Sequence, residues 1–308
     1  MQPFLSCLVS HTFDSASRAI TDSERSGRID SGGHKITLTA REGPMSLVGE
    51  MIDRLRARLF ILREDFGLRS MKTGTEVEDM SFAEISLLRE ISGGIVPLYV
   101  KIGGPEARND IRNLIRIGVD GIIAPMVESP YSLKNFMATF EEICTERSAA
   151  GIEAGINLET ITGYRQMHDI LAEPLAAGLH QVTAARTDLS GSMGLHPDDD
   201  RVLAVCEDIV QTCRAQGLVT SVGGAIHPGI IDTLIERIAS DRVNTRHMVL
   251  SCRDIARDPK RSLMENLRFE IDLYRALGSD PFNEKRDLHL KRYEVLSERL
   301  QKHAHFIG

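Results

Sequence analysis

Short β-branched runs alternate with amphipathic stretches whose apolar residues recur every three or four positions, and this alternation restricts the possible folds more than any other feature. The strand candidates are "KITLTA" (35–40), "RLFIL" (58–62), "PLYVKI" (97–102), "DGIIAPM" (120–126), "AGINLE" (154–159), "HQVTAAR" (180–186), "GLVTSVG" (217–223) and "HMVLS" (247–251). Between them lie helical patterns such as "PEARNDIRNLIRIG" and "DDDRVLAVCEDIVQTCRAQG", each ending at a glycine, as helix C-termini often do. Eight strands with seven intervening helices describe an α/β fold of the (β/α)8 TIM-barrel type. A doubly wound open sheet predicts a similar alternation. However, no GxGxxG follows the first strand and no GxxxxGK[ST] occurs, so the barrel is preferred.

The expected organisation is an N-terminal arm (1–34), the barrel (35–258) and a charged helical extension (259–308). In the extension, Leu267, Ile271, Leu273, Tyr274 and Leu277 recur at helical spacing and would cover the barrel or pack on another subunit. The chain has 308 residues and is 42% hydrophobic, which is enough for a substantial core. Its net charge of -7 argues against a phosphate backbone as partner. No apolar run reaches the roughly 18 residues of a membrane helix. Five scattered cysteines without a CxxC pair fit a reducing compartment, so the expected location is the cytoplasm.

In a β/α barrel the side chains at the C-terminal strand ends build the site. Glu159 ends one candidate strand in "GINLETITGY", and Asp188 follows the next in "VTAARTDLSGSMG". The segment between them is about one helix plus one strand, which sets the two carboxylates on adjacent strands at one rim. Two hard oxygen donors with few other protein ligands suit Mg2+ or Mn2+ rather than zinc. The competing reading is that each acid caps the helix or turn that follows it. Lys101, followed by Gly103 and Gly104, and Arg186 add cations at the same mouth, so the ligand expected is a small metal-chelating anion such as a 2-oxo acid. Glu128 would hydrogen-bond a metal water or cap a helix near Pro130, and His227 would bond locally in its loop. Arg246, just before the last strand, would face the opposite end.

The segments "GVDGIIAPMVESPYSLKNF" (118–136), "INLETITGY" (156–164) and "ARTDLSGSMGL" (185–195) resemble the HpcH/HpaI aldolase and citrate lyase β-subunit superfamily in order and spacing. The resemblance covers about residues 58–252. It implies a barrel of the phosphoenolpyruvate/pyruvate-binding type in which Glu159 and Asp188 hold Mg2+ or Mn2+ and Lys101 grips the substrate. Many relatives carry Arg at the Lys101 position. It further implies a metal-dependent carbon-carbon lyase or aldolase acting on a small 2-oxo or hydroxy acid, free or as a CoA thioester, through an enolate. A homo-oligomer, trimer or hexamer, is also implied. Relatives place a His beside an acid near the second strand, whereas "LFILREDFGL" has none; Arg63, Glu64 and Asp65 there are the candidates for substrate contact or base. Two alternatives stay open: a condensing synthase on the same fold, and a noncatalytic carboxylate-binding barrel.

Overall fold

A computed structural model describes residues 44–306. The described residues from Glu50 onward form one compact unit. The expected arm and the strand expected at 35–40 lie outside the described residues.

The chain runs through α1 (Pro44–Asp65), β1 (Leu68–Gly74), α2 (Phe82–Ser92), β2 (Leu98–Lys101), α3 (Arg108–Ile117), β3 (Gly121–Ala124), α4 (Pro130–Glu146) and β4 (Glu153–Leu158). It continues through α5 (Ile161–Arg165), α6 (Met167–Leu171), β5 (Leu179–Ala185), α7 (Arg186–Met193), α8 (Asp200–Ala215), β6 (Val219–Gly223), α9 (Ile231–Thr233) and β7 (Arg242–Asn244). The last elements are β8 (Met248–Ser251), α10 (Cys252–Ile255), α11 (Pro259–Ser279) and α12 (Arg286–Lys302). The eight strands close into one barrel in chain order.

Seven strands run parallel, from β1 to β7. β8 runs antiparallel to both β7 and β1, because a three-residue turn at 245–247 replaces the last crossover helix. This turn therefore lies at the C-terminal rim. Arg246 sits on that rim, which corrects the expectation that it faces the opposite end.

One strand expectation is corrected and two strands went unrecognised. "RLFIL" (58–62) belongs to α1, where Ile52, Leu55, Leu59 and Leu62 are buried at steps of three and four. "LRSMKTG" forms β1 instead, and "RVN" forms β7. Both hide from a search for apolar alternation because the barrel interior is polar. Tyr99, Asn157, Gln181, Thr183, Ser221 and Asn244 occupy the inward rows and are buried. Thr183 and Ser221 share a 2.7 Å hydroxyl contact, and the Asn244 amide donates to Ser221 Oγ at 3.0 Å. The apolar core lies between strands and helices, where Leu98, Val100, Ile122, Ile156 and Leu158 are fully buried.

The extension follows its periodicity. Leu267, Ile271, Leu273, Tyr274 and Leu277 are buried within this chain, in the apolar core. α12 then spans the rim. Arg292 donates to the Val77 and Glu78 carbonyls after β1 at 3.0 and 2.7 Å, and His303, just past the helix, stacks on His227 after β6.

One anchor of this strap is a buried acid. Glu84 accepts from Ser81 N–H and from the Asn283 amide, each at 2.8 Å, and meets His289 Nε2 at 2.5 Å. Burial pushes its carboxyl up, but these partners outweigh burial and bring it from 4.5 down to about 2. The folded value lies below the unfolded one, so this stabilisation is complete above the unfolded value and is lost as pH falls from about 4.5 toward 2. Glu84→Gln is expected to cost roughly 2 kcal/mol at neutral pH and to flatten the acid limb of a melting-temperature-against-pH curve in that window. An unchanged acid limb would refute the assignment.

Candidate active site

Glu159 follows β4 directly and is 2% exposed. Helix capping does not claim it: Thr160 is the N-cap of α5, its hydroxyl accepting from Gly163 N–H at 3.0 Å. The Glu159 carboxylate instead accepts from Met126 N–H at 2.8 Å and from the Asn157 amide at 3.0 Å. Met126 adopts φ +52, a left-handed conformation that costs a non-glycine residue about 1–2 kcal/mol. That strain turns its N–H toward the acid, as strained residues at functional sites often do.

Asp188 stands in the first turn of α7, with no side-chain cap bond at that terminus. Ser192 Oγ accepts from Ile161 N–H at 2.9 Å and ties α7 to the segment after β4. The two carboxylates are close enough for Asp188 to raise the carboxyl of Glu159. Burial raises it most, and the Met126 N–H, Lys101 and Asn157 oppose this without cancelling it. A buried carboxylate hydrogen-bonded by neutral donors beside a second acid is only partly compensated, since Lys101 acts on it without cancelling its burial. A divalent cation fits that deficit. Among the described residues no group of three His, Cys, Asp or Glu could hold a metal, so Glu159 and Asp188 would be the protein's share of the ligands, leaving positions for water and substrate oxygens as Mg2+ and Mn2+ prefer.

Lys101 ends β2 with its amine 2.9 Å from Glu76 Oε2. Burial works to lower it, but Glu78, Glu76 and Glu159 prevail and hold it above the ordinary lysine range, so it is a permanent cation. It links the carboxylate pair to an acidic loop after β1 that sequence reading missed. Glu78 there is 5% exposed; burial raises its carboxyl, yet Lys72, Lys101 and His247 bring it below the usual range. The signal was present in "KTGTEVEDM", but β1 itself went unrecognised.

Other expectations are redirected. The Arg186 guanidinium is fully buried, donates to Asp198 at 2.9 Å and to the Ala225 carbonyl at 3.3 Å, and feels the Cys206 thiol of α8. It therefore faces the α8 side, where Asp198 pairs with it. Arg63, Glu64 and Asp65 end α1 at the N-terminal end of the barrel, where Arg63 donates to the Ile95 carbonyl at 3.0 Å and pairs with Glu64 at 2.7 Å. They cannot contact a ligand in the mouth. Gly103 N–H donates to Asp110 at 2.9 Å. Glu128 accepts from the Thr160 hydroxyl at 2.5 Å, bracing the Glu159 loop, while Ser129 caps α4. His227 bonds locally as expected: Gly229 N–H donates to its Nδ1, which leaves Nε2 as the donor to Asp198 at 3.0 Å.

This is a β/α barrel whose mouth gathers acids and lysines at the strand ends. Residues 100–226, which include Lys101, Glu159 and Asp188, match the family model of HpcH/HpaI aldolase/citrate lyase, so the resemblance to that family of aldolases and citrate lyases is borne out. No curated protein matches the chain in sequence. Among solved structures it is similar to an HpcH/HpaI aldolase from Desulfitobacterium hafniense DCB-2, at 19% identity over 61% of this chain and 79% of that one, TM-score 0.49. It is also similar to an HpcH/HpaI aldolase/citrate lyase family protein from Burkholderia cenocepacia J2315, at 15% identity over 70% and 99%, TM-score 0.48. A citrate lyase from Burkholderia xenovorans LB400 aligns at 14% identity over 76% and 86%, TM-score 0.48. Among the described residues no helix is long and apolar enough to cross a membrane.

Proposed function

We propose that the protein is a carbon-carbon lyase or aldolase acting on a small 2-oxo or hydroxy acid, with Mg2+ or Mn2+ held by Glu159 and Asp188. The observation that supports this most is the buried Glu159 carboxylate, supplied with neutral donors only and set beside a second acid and Lys101. When bound, the cation supplies positive charge at the carbonyl and carboxylate oxygens of a 2-oxo acid, where negative charge develops as a bond to the neighbouring carbon breaks or forms. Lys101 adds a second, fixed positive charge, and its pairing with Glu76 sets where the amine stands. Met126 N–H and the Asn157 amide hold Glu159 in orientation.

The test is proton exchange. With Mg2+ present, the protein is expected to exchange the methyl protons of pyruvate for deuterium in heavy water, followed by proton NMR, and to stop when the metal is chelated. Exchange no faster than in buffer with Mg2+ alone would count against the lyase reading and favour a barrel that only binds carboxylates.

A further inference from the structure

A site that makes or breaks a bond beside a carbonyl needs a group that takes up and returns a proton, and His227, His247 and His289 are committed elsewhere. His227 is bonded to Asp198 and stacked on His303. His247 is fully buried against the Tyr274 hydroxyl at 2.6 Å. His289 is held by Glu84. Glu76 is taken by Lys101.

Lys72 differs. It lies on the inward row of β1 with Ser70 and Gly74, and the strand register sets it beside Tyr99 with Gly74 beside Lys101, one step from the rim. Its main-chain N–H donates to the His247 carbonyl at 2.9 Å, which brings the turn carrying Arg246 against it. Among the described residues its amine makes no hydrogen bond or ion pair, unlike that of Lys101. Every packed element sends a charged group toward it: Glu78 from the loop after β1, Lys101 from β2, Glu270 from α11 and Arg246 from the β7–β8 turn. Glu270 is already engaged by the Thr245 hydroxyl and His247 N–H, each at 2.6 Å. Glu78 feels Lys72 most among its charged neighbours, then Lys101 and His247. Two cations therefore face an amine that neither nearby acid bonds, and of those acids Glu270 is engaged elsewhere. Burial lowers its proton affinity below that of an ordinary lysine, Lys101 and Arg246 lower it further, and Glu78 and Glu270 only partly resist. Desolvation beside other cations is how a lysine becomes a neutral amine able to act as base.

We propose that the Lys72 amine is the proton-transfer group of this mouth, an inference that rests on the lyase reading above. In cleavage of a hydroxy acid, Nζ takes the hydroxyl proton and the O–H electron pair closes a new carbonyl. The adjacent carbon-carbon bond breaks, and its pair passes to the 2-oxo fragment as enolate. The Lys72 ammonium then returns the proton to the enolate carbon, so no proton is gained or lost overall. Condensation runs the same steps backward, with Nζ abstracting the methyl proton first.

Two measurements test this. Competitive acetylation of the parent by acetic anhydride from neutral to alkaline pH, read by peptide mass spectrometry, is expected to show Lys72 reaching half-maximal reactivity at a lower pH than the exposed Lys134 and Lys291. Titration together with those two lysines overturns the proposal without touching the functional reading. In the pyruvate exchange assay with Mg2+, Lys72→Met is expected to lose about 100-fold or more in rate with Mn2+ affinity unchanged, and Lys72→Arg is expected not to restore it. Exchange retained by Lys72→Met overturns this inference alone. Absence of exchange by the parent overturns the functional reading and this inference with it.

Discussion

Glu159→Gln is expected to weaken Mn2+ binding by at least about 100-fold, because even outer-shell partners of metal ligands cost 10- to 100-fold when removed. The amide keeps the shape and one of the two accepted bonds, from Met126 N–H or from Asn157, but removes the charge that a hard cation requires. Asp188→Asn should behave alike, since its carboxylate is the other member of the pair. Calorimetric titration of Mn2+ into the parent and the two variants measures this directly. Parent-like affinity in either variant would remove that residue from the site, and parent-like affinity in both would remove the metal pair altogether.

Arg186→Met is expected to cost about 3 kcal/mol of stability while leaving Mn2+ affinity where it was. Its guanidinium is fully buried and its pairing with Asp198 is the charge compensation it has there. Removing one member of such a pair leaves a carboxylate with imidazoles, His227 at 3.0 Å and His196 at 4.0 Å, in place of a guanidinium. Urea unfolding of parent and variant reads the stability change. A variant as stable as the parent but unable to bind pyruvate would return Arg186 to the substrate site.

The barrel was legible because helix and strand periods differ and alternate along the chain. The ends of α3 and α8 were legible because Gly118 and Gly217 take left-handed backbone, at φ 82 and 78, just beyond their last turns. β1 was not, since its inward row of Ser70 and Lys72 serves a polar barrel interior and breaks the apolar alternation. The apolar letters of "RLFIL" suggested a strand, yet Ile52, Leu55, Leu59 and Leu62 already carried the helical spacing, and Phe60 and Ile61 prove half-exposed. Arg186 misled for a related reason: it and Asp188 both fall in the first turn of α7, where residues two apart do not face the same way, so closeness in sequence did not mean a shared direction.

Glu159, Asp188 and Lys101 could be placed from the residues alone, because a carboxylate or amine at a strand end needs only the local strand and the next βα unit to be set at the rim. The placement of Lys72, Glu78 and Arg246 around one another required the closed barrel. Whether β8 arrives by a crossover or by a tight turn depends on how α11 and β1 complete the wall, and that is settled by packing between segments far apart in the chain. The reversal of β8 is what carries Arg246 to the mouth and turns a set of scattered charges into one electrostatic site.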